Sequence, residues 1–252
     1  MKNEKIFFAK SDSPKMIEAF TNAQNTFKYF WRELYWEYHR IVPALNVACV
    51  KVAFSQVIDQ GSEPTVEHMW INNILFDGSA IKGTLINTPN ELTNIENGDE
   101  VTIPLNQISD WLFSTREKTY GGFTIQAMRS EMNNKERKEH DKAWGLNFGD
   151  YNDILLVYEQ KEHPENLIEH PMSKNSRENL ADFIKRHPGE ITATDEAGCT
   201  LLHRETIAGN LTSVEFLLLS GADKTQKTNQ GKTALDFARQ LKWEHIIPVL
   251  EK

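Results

Sequence analysis

Two nine-residue segments of this chain repeat at a separation of 33 residues, and nothing else in the sequence restricts the fold as much. They are Asp195-Glu-Ala-Gly-Cys-Thr-Leu-Leu-His203 and Thr228-Asn-Gln-Gly-Lys-Thr-Ala-Leu-Asp236. Gly198 aligns with Gly231, Thr200 with Thr233 and Leu202 with Leu235. A further shift of 33 residues, from Phe216 and Leu217 to Phe183 and Ile184, makes Asn179–Glu190 a degenerate first unit. A period of this length is one supersecondary unit that buries its apolar face only on its neighbours. Thr200 and Thr233 are placed to cap an inner helix. Leu217 and Leu218 give the outer helix its apolar face, and Gly221 supplies a left-handed stop.

The first part of the chain has a different period. Ser13-Pro14 is a helix start, a hydroxyl cap before proline at the first helical position. Phe20, Phe27, Trp31, Leu34, Tyr38 and Ile41 then recur at helical spacing up to Pro43, predicting a long helix of about seven turns. Tyr29, Tyr35 and Trp36 lie off that stripe, so the helix is either covered on two sides or presents an aromatic patch, with Tyr29 and Trp36, to a partner. Strands follow at residues 47–58, with Ala48, Val50, Val52 and Phe54 on one face and Cys49 on the other. Two more follow at Thr65–Phe76 and Ile81–Ile86, with a loop at Asp59–Pro64 and a helical turn after Thr88-Pro89. Val101, Ile103 and Leu105 alternate as a half-buried strand does. Ile108, Trp111 and Phe113 give a second strand of this central group, and Phe123, Ile125 and Ala127 a third, after the Thr115–Thr119 turn and Gly121-Gly122. The expectation is a long helix on an antiparallel meander. Met132–Trp144 reads as a solvated closing helix, and Ile154–Tyr158 as an edge strand running into a linker.

Net charge is −8, from 28 basic and 36 acidic residues. Residues 1–150 hold 16 and 20 of these and residues 151–252 hold 12 and 16, so the acidity is spread along the chain. That argues against a nucleic-acid partner, which requires a clustered basic face, and favours a basic protein. The two cysteines, Cys49 and Cys199, have no metal or disulfide spacing, which suits a reducing compartment. Met1–Phe8 has too short an apolar run for a leader, so the expected location is the cytoplasm, away from membranes.

Catalytic signals are sparse. Gly231-Lys-Thr233 imitates the end of a phosphate loop but lacks its upstream glycine, and the repeat accounts for it. The histidines have no ligand spacing, so neither a metal nor a cofactor is expected. Glu67, His68 and Asp110 are the polar groups nearest the central motifs. They are either a base with its orienter or a locally satisfied strand tie, and Asp110 can equally be a cap carboxylate with Trp111 facing the core. No convincing catalytic set emerges.

Several motifs occur in one order and spacing: His68-Met-Trp70, Gly83 with Asn87-Thr-Pro89, Gly98-Asp-Glu-Val101, Ile108-Ser-Asp-Trp111, Gly121-Gly-Phe-Thr124 and Met132-Asn-Asn-Lys-Glu-Arg137. Together they resemble the bacterial domain-of-unknown-function family 2314, over about residues 13–150. The repeats resemble an ankyrin array of about two and a half units at 173–252. The fold class implied is α+β: a long N-terminal helix packed on an antiparallel β-meander over 1–150, an edge strand and linker at 151–172, and an all-α ankyrin domain. What the ankyrin resemblance implies is protein binding, through turn tips Glu196, Ala197, Asn229 and Gln230 and inner-helix residues Arg204 and Glu205. A small acidic bacterial protein of this kind also resembles immunity proteins, which block a cognate secreted toxin, here one with a basic or a nucleotide-binding cleft, so the chain is expected not to be an enzyme. The alternatives are an enzyme working through Glu67, His68 and Asp110 with the repeats as a docking arm, and an adaptor with no toxin.

Overall fold

The computed structural model describes residues 13–58, 63–116 and 118–252, and it divides into two compact units. The first holds the described residues up to Phe30 together with Arg40–Leu156; the second holds Trp31–His39 and Val157–Lys252. Helix α1 (Pro14–Glu37) therefore gives residues to both. Met1–Phe8 and most of the expected Asp59–Pro64 loop lie outside the described residues, as does Glu117 in the Thr115–Thr119 turn.

In the first unit, strands β1 (Val47–Gln56), β2 (Thr65–Phe76), β3 (Ala80–Leu85) and β4 (Glu100–Pro104) form an antiparallel meander. Strand β5 (Ile108–Ser114) does not continue it at the edge. It returns to lie against β1, and β6 (Thr119–Gly121) follows, so the order is β4-β3-β2-β1-β5-β6. Only the 3-10 turn Leu105–Gln107 joins β4 to β5. Four residue steps reach at most ~14 Å, whereas four strand spacings of a flat sheet take ~19 Å. The sheet must therefore curl so that its fifth strand comes within reach.

The third strand expected at Phe123–Ala127 is instead helix α2 (Phe123–Glu131). Alternation of Phe123, Ile125 and Ala127 is the strand period, but the helix buries Phe123, Thr124, Ile125 and Gln126 in succession, and the helix start overrides the pattern. Gly122 is left-handed, with φ 73°, and offers no side-chain cap. The cap comes from β5: Asp110 Oδ1 accepts the Trp111 and Phe123 N–H groups at 2.8 and 2.9 Å. Its Oδ2 accepts the Thr124 N–H at 2.8 Å and the Thr124 hydroxyl at 2.5 Å. The chain reversal comes earlier than Gly121-Gly122, where Thr115 N–H donates to Lys118 O at 3.0 Å. Gly121 itself has φ +70°, and a Cβ there would sit 2.3 Å from Trp111 O, so this close approach needs glycine.

Other expectations shift for equally local reasons. The Thr88-Pro89 turn is not helical, and the Glu67 carboxylate takes the N–H groups of Asn90, Glu91 and Leu92 at 2.9, 2.6 and 3.0 Å. Ile154–Leu156 forms no strand. The neighbouring β6 has three residues, and Leu155 O accepts one bond from Gly121 N–H at 2.8 Å. Helix α3 (Asn134–Trp144) buries no residue and has a capping box on Asn133, as a solvated helix does.

The sheet is covered on both faces. From α1 come Met16, Ala19, Ala23, Phe27 and Phe30, buried at spacings of 3 and 4. Phe27 meets Phe76 edge-on at 5.3 Å, and the Trp111 indole N–H donates to Ala23 O at 3.1 Å. Tyr38 and Ile41, expected on the stripe, lie beyond the helix end and are exposed. On the other face Cys49 packs with Trp70, Leu112, Ile125 and Phe148. The Cys49 side is thus a second core, and burial pushes its thiol far above the ordinary range, helped by the Asp110 charge.

The described elements of the second unit are helices, 3-10 turns and one isolated bridge between Thr194 and Thr200. The helices are α4 (Pro171–Asn175), α5 (Arg177–Arg186), α6 (Leu201–Ile207), α7 (Leu211–Leu219), α8 (Ala234–Gln240) and α9 (Ile247–Glu251).

Asp110→Ala would strand three buried N–H donors and a hydroxyl. With about 1–3 kcal/mol for each unsatisfied group and partial relaxation, the expected loss is roughly 4 kcal/mol. Urea denaturation followed by tryptophan fluorescence checks this, and a loss below roughly 1 kcal/mol would deny Asp110 its capping role.

Candidate functional site

The end of α1 belongs to the second unit through side chains that a helical wheel would place on a solvated face. Arg32 is 1% exposed. Its guanidinium donates to Ile168 O at 3.0 Å and to Asn166 O, and lies 5.4 Å from the Trp243 ring centre. It thereby satisfies carbonyls at the end of the 3-10 turn Pro164–Leu167. Glu33 Oε2 lies 3.1 Å from His170 Nε2. His170 Nδ1 accepts the Met172 N–H at 3.1 Å, so the proton of the neutral ring sits on Nε2 and is donated to Glu33. Trp36 is buried, stacked on His170 at 5.8 Å, and its indole N–H donates to Asn210 Oδ1 at 3.0 Å. The Tyr35 hydroxyl donates to Glu205 Oε1, and Asn210 Nδ2 donates to Glu205 Oε2 at 2.8 Å.

The 33-residue period is visible in bonding. Thr200 caps α6 and Thr233 caps α8, each in a reciprocal box with the third helical residue, His203 and Asp236. The two preceding turns are tied together: Asn229 N–H donates to Ala197 O at 2.9 Å, and Asn229 Nδ2 to Glu196 O at 2.8 Å. Gly198, with φ +75°, is needed here because a Cβ would lie 2.7 Å from Asn229 Oδ1. Glu196, Ala197, Asn229 and Gln230 are all exposed, so the tips form one accessible edge. Arg204 is exposed and pairs with Asp195 at 2.8 Å, whereas Glu205 is buried. Burial alone would raise the Asp195 carboxyl, but Arg204 and two backbone donors hold it below the usual range.

A cleft of about 570 Å³ opens in this unit, lined by Tyr35, Trp36 and His39 together with Met172, Phe183 and Glu205 among others. That volume lies within the usual range for ligand pockets, ~300–1,000 Å³. Of the residues singled out for partner binding, Trp36 and Glu205 share the cleft; Arg204 and the turn tips lie elsewhere on the unit, and half-buried Tyr29 belongs to the first. His39, Met172 and Leu180 carried no signal in the sequence. Phe183 did, through its 33-residue offset from Phe216.

The alternative polar group does not assemble. Glu67 and His68 are adjacent on β2, so their side chains leave opposite faces. Asp110 lies on β5, with β1 between it and β2, about 10 Å away by strand spacing. Glu67 is held below the ordinary carboxylate range by its three backbone donors, against the opposing effect of burial. His68 stacks on Phe20 at 5.1 Å, and burial followed by the Lys51 charge lowers its pKa. Burial raises the Asp110 carboxyl, against the pull of Thr124 and Lys51. Each group is held by a local role. Among the described residues no cluster of three or more His, Cys, Asp or Glu is placed to hold a metal, and no helix is long and apolar enough to cross a membrane.

His203 gives the second unit a pH signature. Burial lowers its pKa, and the neutral ring accepts at Nδ1 from Thr200 while Nε2 faces Gln226 O at 3.1 Å. A depressed folded pKa means that stability is fully present above the unfolded value of about 6.5 and is lost as pH falls towards the folded value. Thermal melts at pH 7.5 and 5.5 are expected to show a lower midpoint at the acid pH. His203→Gln should flatten the difference; an unchanged slope in that variant would remove His203 as its source.

Residues 13–148 match a bacterial family described as "uncharacterized protein conserved in bacteria" (DUF2314). Over 246 residues, 98% of this chain and 96% of the relative, the chain is 48% identical to a Neisseria meningitidis serogroup B protein named "Putative ankyrin repeat protein". It is 36% identical over 62 residues to the uncharacterized protein YegJ of Escherichia coli K12, covering 25% of this chain and 40% of that protein. Over 98 residues it is 29% identical to the Gallus gallus E3 ubiquitin-protein ligase MIB2, covering 39% of this chain and 10% of the ligase.

Proposed function

We propose a function from two premises: the chain belongs to the bacterial family DUF2314, and a relative similar over almost its whole length is named for ankyrin repeats. On this reading residues 173–252 are a short ankyrin array, with α4, α6 and α8 as inner helices, and the protein is a binding module for another protein. The observation that carries it is the accessible edge formed by the bonded tips Glu196-Ala197 and Asn229-Gln230. Linked tips held at fixed spacing offer a preorganised surface, which lowers the ordering cost of binding. An enzymatic reading has less support, because Glu67, His68 and Asp110 are separated and each is engaged structurally.

The narrower form of the proposal is an immunity protein in the cytoplasm that blocks a cognate toxin. Its support is the acidic balance of −8, which would steer a basic partner without fixing its identity.

The test is capture of partners by the tagged protein from its own cells in high salt, identification by mass spectrometry, and reconstitution with the purified partner. Glu196→Lys with Gln230→Lys should weaken that complex at least about tenfold, equivalent to 1.4 kcal/mol, with melting unchanged. His68→Gln should bind as the wild type does. A partner indifferent to the tip substitutions would remove these tips as the interface. Growth protection against a co-encoded toxin, lost in the tip variant, supports the immunity form; binding without protection leaves an adaptor.

A further inference from the structure

The cleft of the second unit has a specific chemistry. Glu205 contributes to its lining and is 6% exposed, yet none of the ion pairs formed among the described residues involves its carboxylate. The adjacent Arg204 is directed instead to Asp195, at 2.8 Å. Each Glu205 oxygen accepts one neutral donor, Tyr35 Oη–H or Asn210 Nδ2. A carboxylate offers about four acceptor positions, so roughly two stay open. A largely buried anion with only neutral donors is costly to hold and gains most from a cation.

The surrounding walls suit the rest of such a ligand. Tyr35 and His39 lie 4.5 Å apart ring to ring. Phe183, 38% exposed, and Leu180 line the cleft, and its lining includes no lysine or arginine. Aromatic faces attract a cation, and apolar walls cover its methylene stem. The unit is acidic as well: Trp31–His39 and Val157–Lys252 together hold 13 basic and 17 acidic residues.

We propose that this cleft receives one arginine or lysine side chain from a basic segment of a protein partner, with its charged end on Glu205 and its stem along Tyr35, Leu180 and Phe183. The proposal rests on the protein-binding reading above and names the feature of the partner that the cleft selects. The tips then supply area, while the cleft selects charge.

The test is a titration of the ¹⁵N-labelled full chain with N-acetylarginine amide or N-acetyllysine amide, against neutral N-acetylcitrulline amide. The Trp36 indole N–H, assigned by Trp36→Phe, reports from the cleft. A basic probe is expected to move this resonance saturably, with citrulline at least about tenfold weaker. Glu205→Gln should weaken the basic probe by a similar factor. Phe183→Ala, at an exposed wall position that leaves the fold intact, should weaken it about threefold, which guards against misfolding of the Glu205 variant. Equal responses to arginine and citrulline, or to arginine in wild type and Glu205→Gln, would overturn the proposal. So would an intact complex between the Glu205→Gln variant and a partner whose binding the tip substitutions abolish. That last outcome would leave the protein-binding role standing, whereas no partner under any condition, with the basic probe still bound at Glu205, would sink the role and keep the cation site.

Discussion

The first unit depends on one carboxylate buried where β5 meets the start of α2. Asp110 is fully enclosed, and its two oxygens collect three backbone N–H groups and a hydroxyl. A helix that begins directly after a left-handed glycine has no cap of its own. If those donors stayed unpaired inside the protein, neither the helix start nor the close packing of Gly121 on Trp111 would hold. The same arrangement points Trp111 the other way, into the α1 face, where its indole N–H closes on the helix backbone. One Asp-Trp dipeptide thus joins both layers of the sheet.

The second unit uses buried charge differently. Arg32, Glu33 and Glu205 are each almost fully covered. Arg32 satisfies carbonyls, and Glu33 accepts from the neutral His170 ring. Glu205 alone of the three lines the cleft, and among the described residues its carboxylate meets only neutral donors. That difference turns an ordinary cleft into one with a charge preference. It also separates two tasks within the unit: the tips offer accessible polar backbone and side chains, and the cleft offers a confined anion among aromatic rings.

Much of this was legible in local sequence. The strands at Val47, Thr65 and Ala80, the α1 start at Ser13-Pro14 and the threonine caps at a 33-residue spacing follow from side-chain period and capping chemistry, which involve neighbours along the chain. Phe123–Ala127 reads as a strand from its alternation, but burial on all sides removes the helical stripe, and the deciding cap arrives from thirteen residues earlier, on β5. Arg32 and Glu33 gave no warning: charged residues in a helix normally face solvent, and only tertiary carbonyls and a distant histidine explain their burial.

The sequence by itself determined where α1, the first four strands and the threonine-capped helices start, that two segments recur at a spacing of 33, and that the chain is acidic throughout, since these depend on bonds and patterns a few residues long. Tertiary structure alone decided that β5 returns to β1, that Glu67, His68 and Asp110 stay apart, and that Tyr35 reaches Glu205. Those outcomes turn on which backbone and side-chain groups are left to satisfy once the chain has closed on itself, and that demand has no signature in any single stretch of sequence.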